Sequence, residues 1–257
     1  MRLAKLYSGM AAAYLLIQAN ATADIILLED FEDDITTYQS SSSDALLDLA
    51  NNDYYGRLNS VNLPTGIAYQ NHQGAGFYGV QDTDSALANA QDEVTLEWQN
   101  IDISAWQNLS LTWFIAEDDA SDGNEDIDAT TAFTIATQVD KSGYLPLFSV
   151  RSAGGTNNHA RVDNDFDGIG EGQLITDTFA LFSRQVALGS VLDIQVSFAN
   201  FDAGDEDFAF DQLMLSGDKK AAAMPVPEPS SQLLMAVALL LGVNRWHGHK
   251  RKSFDRK

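Results

Sequence analysis

The sequence predicts an all-β domain, an antiparallel two-sheet sandwich of jelly-roll type, with a targeting segment at each end. Three observations support this prediction: apolar and polar residues alternate in several runs, turn residues separate those runs, and helical spacing is scarce. Strands with one apolar face must bury that face against a second layer, which favours two packed sheets. We expect the domain to span residues 24–218.

The first 23 residues have the order of features typical of a secretory signal peptide. Arg2 and Lys5 precede an apolar run from Met10 to Ile17, and Ala21-Thr22-Ala23 supplies the small residues of a cleavage site. We therefore expect export and cleavage before Asp24. The alternative interpretation is a short N-terminal core helix.

The strands of the domain are predicted from alternation. An early strand is expected from Ile25 to Phe31, and a last strand from Phe208 to Leu215 closes the sandwich. Between them lie the alternating runs VTLEWQ from Val94, LSLTWFIAE from Leu109, FTIATQV from Phe133 and VLDIQVSF from Val191.

Two further features of the domain are predicted from spacing. Trp98 and Trp113 occupy alternating strand positions, so we expect both to lie in the core. The stretch SDALLDLANN, which begins at Ser43, has apolar residues on one side at helical spacing. It is predicted to form a short helix.

The domain is strongly acidic. Between Asp24 and Met224 the sequence has 7 Lys and Arg residues against 35 Asp and Glu residues. Such a surface repels phosphate backbones and anionic lipid, so we expect no nucleic-acid partner, and it attracts divalent cations. Because the chain has no cysteine, disulfides cannot stabilise it after export. Its stability must come from the packed core, with bound ions as a further source.

A candidate metal site lies in the segment RVDNDFDGIGEG. Its D-x-D-x-D-G pattern, typical of calcium loops, consists of Asp163, Asp165, Asp167 and Gly168. Leu174 stands at the twelfth position, where an EF-hand has a bidentate glutamate. We therefore expect a looser calcium loop that is completed by Glu171 or by a distant carboxylate. A solvated acidic turn is the alternative.

A second acidic window, AEDDASDGNEDIDA, lies between two predicted strands. Its carboxylates repel one another unless cations or solvent screen them. Two interpretations remain open: a flexible, solvated hairpin loop, and a cation site that orders the loop.

Aromatic residues outside the alternating core positions are candidates for contact with sugar rings. These candidates are Trp106, in a predicted turn, and the adjacent pair Tyr54 and Tyr55. Sugar rings stack on aromatic faces through their C–H surfaces.

Enzyme signatures are nearly absent from the domain. It has no cysteine, and its two histidines, His72 and His159, lie in no metal-binding or nucleophile motif. A glycosidase needs two carboxylates at a suitable separation, and Glu93 and Glu97 are the pair that the sequence nominates. Because a domain this acidic contains such pairs by chance, we predict a non-catalytic domain.

The end of the chain differs in composition from the domain. A linker at residues 219–229 contains most of the motif Val226-Pro227-Glu228-Pro229-Ser230. An apolar segment from Leu233 to Val243 follows. The stretch from Ser230 to Trp246 reaches the lower limit of about 17 residues for a membrane span. The chain ends in a tail rich in Lys and Arg, which we expect to stay cytoplasmic by the positive-inside rule. Residues 230–257 are therefore predicted to form a transmembrane helix and this basic tail.

These three features, in this order, resemble the PEP-CTERM sorting signal of Gram-negative bacteria. The resemblance implies recognition and processing by exosortase, a membrane protease that releases the protein toward the cell surface, often in organisms that make extracellular polysaccharide. It also implies transient anchoring in the inner membrane before a cell-surface or extracellular location. An ordinary C-terminal anchor is the alternative.

Three functions are compatible with the sequence. The leading hypothesis is an exported, non-catalytic β-sandwich that binds extracellular polysaccharide or another matrix component, with calcium as a candidate cofactor. The second is a purely structural or adhesive surface protein. The third is a carbohydrate-active hydrolase.

Overall fold

The computed structural model describes residues 23–33, 36–41, 46–48, 53–63, 67–84, 92–118, 127–155 and 157–221, and none of these residues is helical. They form thirteen strands: β1 (Asp24–Glu29), β2 (Gln39–Ser40), β3 (Leu46–Asp48), β4 (Asp53–Asn59), β5 (Gly76–Gln81), β6 (Glu93–Asp102), β7 (Trp106–Ala116), β8 (Ala132–Val139), β9 (Leu145–Ser152), β10 (Ala160–Val162), β11 (Ala180–Gln185), β12 (Val191–Ala199) and β13 (Asp207–Lys219).

The strands pair into two antiparallel sheets. A seven-stranded sheet has the order β11-β7-β13-β5-β4-β3, with β1 also paired to β13. A six-stranded sheet has the order β10-β9-β8-β12-β6-β2. Strand β13 is central to the first sheet because one of its edges pairs with β7 and the other pairs first with β5 and then with β1.

The main core lies between the two sheets. Trp113 of β7 meets Phe148 of β9 at 5.0 Å between ring centroids, and Phe133 of β8 stacks on Phe208 of β13 at 4.8 Å. Trp98 and Trp113 are 2% and 0% exposed, which confirms the prediction that both are core residues. Large aromatic side chains bury about 150–250 Å² each, so this cluster supplies much of the hydrophobic stabilisation.

A second apolar cluster lies on the outer face of the seven-stranded sheet. Its buried residues are Tyr54, Leu58, Tyr69, Phe77, Ala116, Phe179 and Ala209. The segments that carry Tyr69 and Phe179 are joined by hydrogen bonds from Gln70 N to Asp177 O (2.7 Å) and from Phe179 N to Gln70 O (2.9 Å). They cover this part of the sheet, so the sheet is buried on both faces there.

The predicted two-sheet antiparallel architecture is confirmed. The alternating runs lie in β6, β7, β8, β12 and β13, and β13 continues past the predicted end at Leu215 to Lys219. The helix predicted from Ser43 is wrong where the structure describes it, because Leu46–Asp48 form β3 and pair with the start of β4. Helix propensity is overridden by tertiary context even for Ala and Leu, which rank among the best helix formers, and the edge of β4 offers backbone hydrogen bonds to an extended neighbour.

Both predicted terminal segments fall outside the described residues. These segments are the signal peptide up to Thr22 and the chain after Ala221, which includes the sorting motif from Val226 to Ser230. Within the described residues, no helix is long and apolar enough to cross a membrane.

Candidate functional site

The predicted calcium loop follows β10 and is closed by backbone hydrogen bonds. Val162 N donates to Gln173 O at 2.9 Å, and Gly172 N donates to Val162 O at 2.8 Å. Phe166 and Gly168 have φ values of +61° and +93°, which lie in the left-handed region and turn the chain sharply. The carboxylates at alternate positions therefore face one point.

The structure brings together the four carboxylates that the sequence nominated. One oxygen each from Asp163, Asp165, Asp167 and Glu171 lies within 4.8 Å of the others. Asp163 is 2% exposed, whereas the other three side chains are exposed. Hard cations such as Ca²⁺ take six to eight oxygen ligands, so these side chains supply a partial shell that backbone oxygens and water would complete.

Backbone amides hold these carboxylates in place. Asp163 accepts hydrogen bonds from Phe166 N at 2.7 Å and from Gly168 N at 3.1 Å. Glu171 accepts one from Asn164 N at 2.9 Å, and this hydrogen bond lowers the pKa of Glu171. Leu174, at the twelfth position, pairs with Arg161 as an isolated bridge, so no carboxylate side chain is present there.

The aromatic residues nominated for sugar contact are placed differently from expectation. Tyr54 is 0% exposed and Tyr55 is 2% exposed, so the prediction that their rings are available at the surface is wrong. Tyr55 packs in the main core, and its neighbour Tyr54 packs in the second cluster on the opposite face. Trp106 is half-buried, and the Lys219 ammonium lies 5.3 Å from its ring centroid.

The outward side of the six-stranded sheet, here called the outer polar face, combines small and long side chains. Its small side chains point away from the core and are 9% exposed or less: Ala132, Ala136, Ser149 and Ser197. Longer hydrogen-bonding side chains on the same side are half-buried: Thr95, Glu97, Thr134, Arg151 and Gln195. The strand register aligns them in rows, such as Glu97, Gln195 and Ala136.

Hydrogen bonds orient the polar groups of this face. Gln195 Nε2 donates to Glu97 Oε1 at 2.7 Å, and the Gln99 amide donates to the second oxygen of Glu97. Tyr144 is half-buried at one end of the face. Burial raises the pKa of Tyr144, and the nearby carboxylates of Glu97 and Asp193 raise it further. Sequence reasoning nominates Glu97 but misses its partners on this face, because the rows depend on strand register.

Glu93 and Glu97, the pair that the sequence nominates, lie on the same face of β6. The two residues are four positions apart, and a strand rises about 3.3 Å per residue, so their Cα atoms are roughly 13 Å apart. Glu93 accepts a hydrogen bond from the Ser197 hydroxyl, which anchors it to the sheet surface.

Two carboxyls of β13 are buried, although sequence reasoning did not single them out. They occupy strand positions that alternate with core residues, where polar side chains are expected to face solvent. Burial raises the pKa of Asp207 to about 8 and the pKa of Asp211 to about 7. The Tyr69 hydroxyl and the Asp118 amide donate to Asp207, and Gln73 N donates to Asp211 at 3.0 Å. Of the second acidic window, only residues 116–118 and 127–129 are described, so its interpretation as a cation site lies outside the described residues.

Comparison with known proteins gives only distant structural similarities. No family model and no curated protein matches this chain. The CBM22-1 xylan-binding domain of Paenibacillus barcinonensis Xyn10C is 11% identical, with a TM-score of 0.38 over 79% of this chain and 100% of that domain. The K1 cleaved adhesin domain of Lys-gingipain from Porphyromonas gingivalis is 13% identical, with a TM-score of 0.42 over 75% of this chain and 98% of that domain.

A third similar structure is a Stig cyclase, Fisc, from Fischerella sp. TAU. It is 14% identical, with a TM-score of 0.39 over 77% of this chain and 99% of the cyclase. These identities and TM-scores do not assign the chain to any of the three groups.

Proposed function

We propose that this chain is an exported, non-catalytic protein that binds polysaccharide through the outer polar face of a jelly-roll-like sandwich. The observation that carries the proposal is the outer polar face of the six-stranded sheet, where longer polar side chains lie beside small ones. Ligand sites use a small number of oriented polar groups to fix the ligand. The carboxylate, amide and hydroxyl groups of this face supply such groups.

The chemistry of the face suits a ligand that is rich in hydroxyl groups. A hydroxyl both donates and accepts, so it complements Glu97, which only accepts, and Gln195, whose amide does both. Because each of these side chains already has a protein partner, it is oriented before the ligand arrives. Tyr144 offers an aromatic edge at the end of the face for contact with a sugar ring.

Two further features of the proposal come from the sequence. We infer that the signal peptide and the PEP-CTERM-like segment direct the protein through the inner membrane, where exosortase processing releases it to the cell surface. The loop from Asp163 to Glu171 lies beside β10, the edge strand of the same sheet, and we propose that calcium binds there. Calcium would then stabilise one end of the binding sheet.

A retention assay on immobilised polysaccharides tests the binding site. The full chain, purified in mild detergent, is passed over neutral and acidic polysaccharides in calcium and then in chelator. The double variant Glu97→Ala/Gln195→Ala removes oriented hydrogen-bonding groups, and we expect at least about a tenfold loss of affinity, which corresponds to roughly 1.4 kcal/mol.

The matched control is Gln185→Ala, which changes an exposed amide on β11 of the other sheet. This variant should bind as the unmodified chain does. If the double variant and the control bind equally well, the outer polar face is not the site. If no polysaccharide is retained by the unmodified chain, the chain has a structural role instead.

A further inference from the structure

Two arginines stand directly opposite each other on the outer polar face. Arg151 of β9 pairs with Arg161 of β10, and both point away from the core because the flanking residues Val150, Ala160 and Val162 are buried in it. Directly opposite side chains have Cβ atoms about 4.5–5.5 Å apart, and like charges at that distance repel each other. Such a pair is unexpected between Asp24 and Met224, where 7 basic residues stand against 35 acidic ones.

Neither arginine is neutralised by a carboxylate in the part of the chain that the structure describes. The ion pairs given there join Lys141 to Asp193 and Lys219 to Asp24. Arg161 Nη1 donates to Gly172 O at 3.1 Å, and Arg151 Nε is buried without a hydrogen-bond partner. A guanidinium has five donors, so the pair has donors that no described group of the protein accepts.

The sheet beside the arginines leaves room for a ligand. The row that contains Arg151 continues across Ala132 of β8 and Ala199 of β12 before it reaches Glu93 of β6. Neighbouring strands lie about 4.8 Å apart, so roughly 10 Å of small side chains follows the arginine pair. The next row is also small, with Thr134, Ser149 and Ser197.

We infer that the arginine pair is a carboxylate-binding subsite and that the polysaccharide bound by the outer polar face carries uronic acid groups. This inference rests on the proposed polysaccharide binding by the same face. A guanidinium matches a carboxylate with two parallel hydrogen bonds, and two opposed guanidinia lose their mutual repulsion when an anion lies between them. The hydroxyls of the sugar chain then meet the small and polar residues of the adjoining rows.

The acidity of the remaining domain favours this ligand over other polyanions. Duplex nucleic acid carries one charge about every 1.7 Å along its axis, so much of its backbone would face the acidic surface around the two arginines. A uronate polymer separates its carboxylates by uncharged, hydroxyl-rich surface. It therefore presents an anion to Arg151 and Arg161 with less repulsion elsewhere.

The test compares carboxylated polymers with their uncharged forms. The full chain is titrated with polygalacturonate and alginate, and with the same polymers after chemical reduction of their carboxyl groups to alcohols, in calcium at about 0.15 M salt, where charges beyond about 8 Å are screened. We expect binding of at least one carboxylated polymer and a loss of about tenfold or more for its reduced form. Arg151→Gln should produce the same loss toward the carboxylated polymer and no change toward the reduced one.

Matched variants separate a specific subsite from general charge. Lys220→Gln removes the same charge just after the end of β13, a strand of the other sheet, and should leave binding unchanged. Arg151→Lys keeps the charge but loses the planar fork, so it should bind more weakly than the unmodified chain. Thermal melting monitors folding. Should Arg151→Gln fail to fold, Arg161→Gln takes its place.

Each outcome decides the inference. Equal binding of carboxylated and reduced polymers overturns the carboxylate subsite and leaves polysaccharide binding intact. Equal loss in Lys220→Gln overturns it as well, because net charge alone would then explain the effect. Binding of polyglutamate as tight as that of the best uronate polymer shows an acidic peptide as ligand and overturns the sugar assignment. Failure of every polymer, charged or reduced, overturns both proposals.

Discussion

Asp207 introduces an ionisable group into the covered face of the seven-stranded sheet. Its carboxyl is 6% exposed and accepts hydrogen bonds from the Tyr69 hydroxyl and the Asp118 amide. Burial raises its pKa from 3.8 to about 8, although the hydrogen bond from Tyr69 opposes part of this rise. Between these two pH values the folded chain binds a proton that the unfolded chain has lost, so the free energy of unfolding falls as the pH rises.

This linkage predicts the behaviour of Asp207→Asn. The amide keeps an acceptor for Tyr69 and cannot ionise, so the variant loses the part of the pH dependence that Asp207 causes. We expect its melting temperature to exceed that of the unmodified chain at about pH 9 by roughly 3 °C or more, and the difference to vanish only at about pH 3, below both pKa values. Calorimetric melting across this range measures the effect.

The control for this prediction is Asp92→Asn, since Asp92 is an exposed residue before β6. Its stability profile should follow that of the unmodified chain. Asp211, whose pKa burial raises to about 7, keeps a weaker dependence of the same sign in every variant. An unchanged profile in Asp207→Asn would contradict the assigned burial of a protonated carboxyl.

The burial of individual aromatic residues was predictable from the sequence at some positions and not at others. Tyr54 and Tyr55 lie outside the alternating runs, so both were nominated for surface contact, although adjacent strand residues point to opposite faces. The sequence does not reveal that the chain around Tyr69 and Phe179 covers the outer face and buries Tyr54 as well. Trp98 and Trp113 were predictable because their alternating positions face the main core, where burial is certain for any two-sheet sandwich.

At the scale of elements, the turn from Asp163 to Gly172 is the part of the candidate site whose clustered carboxylates the sequence could nominate. Its carboxylates, its glycine and the leucine at its twelfth position all lie within one short stretch of sequence. The four carboxylates do converge in the structure. The outer polar face could not be predicted in this way. Its rows combine residues of β6, β12, β8 and β9, and only the register of non-local strands aligns them.

The candidate calcium loop leads to a prediction about stability. A ligand that binds only the folded chain adds RT ln(1 + [L]/Kd), or about 2.7 kcal/mol at a hundredfold excess over Kd. We expect calcium to raise the melting temperature relative to chelator, and Asp165→Ala to abolish most of this rise. Asp165 is exposed and accepts only a hydrogen bond of 3.3 Å from Asp167 N, so its removal should leave the apo chain nearly as stable as before.

The comparison variant for the loop is Asp92→Ala, which removes one exposed carboxylate far along the sequence from the loop. Its calcium-induced shift should equal that of the unmodified chain. If melting is the same in calcium and in chelator, or if both variants keep the shift, calcium does not bind at this turn.

At the scale of the whole molecule, charge separates the domain from the segments beside it. The domain is acidic, whereas the first residues and the last residues are basic. Basic residues flanking a membrane segment stay on the cytoplasmic side, and each Lys or Arg costs about 2.5–3.5 kcal/mol at the bilayer centre. From the same distribution we expect the acidic domain to lie on the far side of the membrane, where a polysaccharide ligand would be met.

Maturation by cleavage at both ends is the final prediction. Pro227 and Pro229 lack an N–H and disfavour helix in the residues before them, so the peptide around Glu228 should stay extended next to the membrane segment, within reach of a membrane protease. Mass spectrometry of the surface-released protein should find an N-terminus at Asp24 and a C-terminus between Pro227 and Ser230. Glu228→Ala should leave the precursor in the membrane fraction, while Gln232→Ala, outside the motif, should be released normally. Recovery of extracellular chains that still end at Lys257 would contradict processing at this motif.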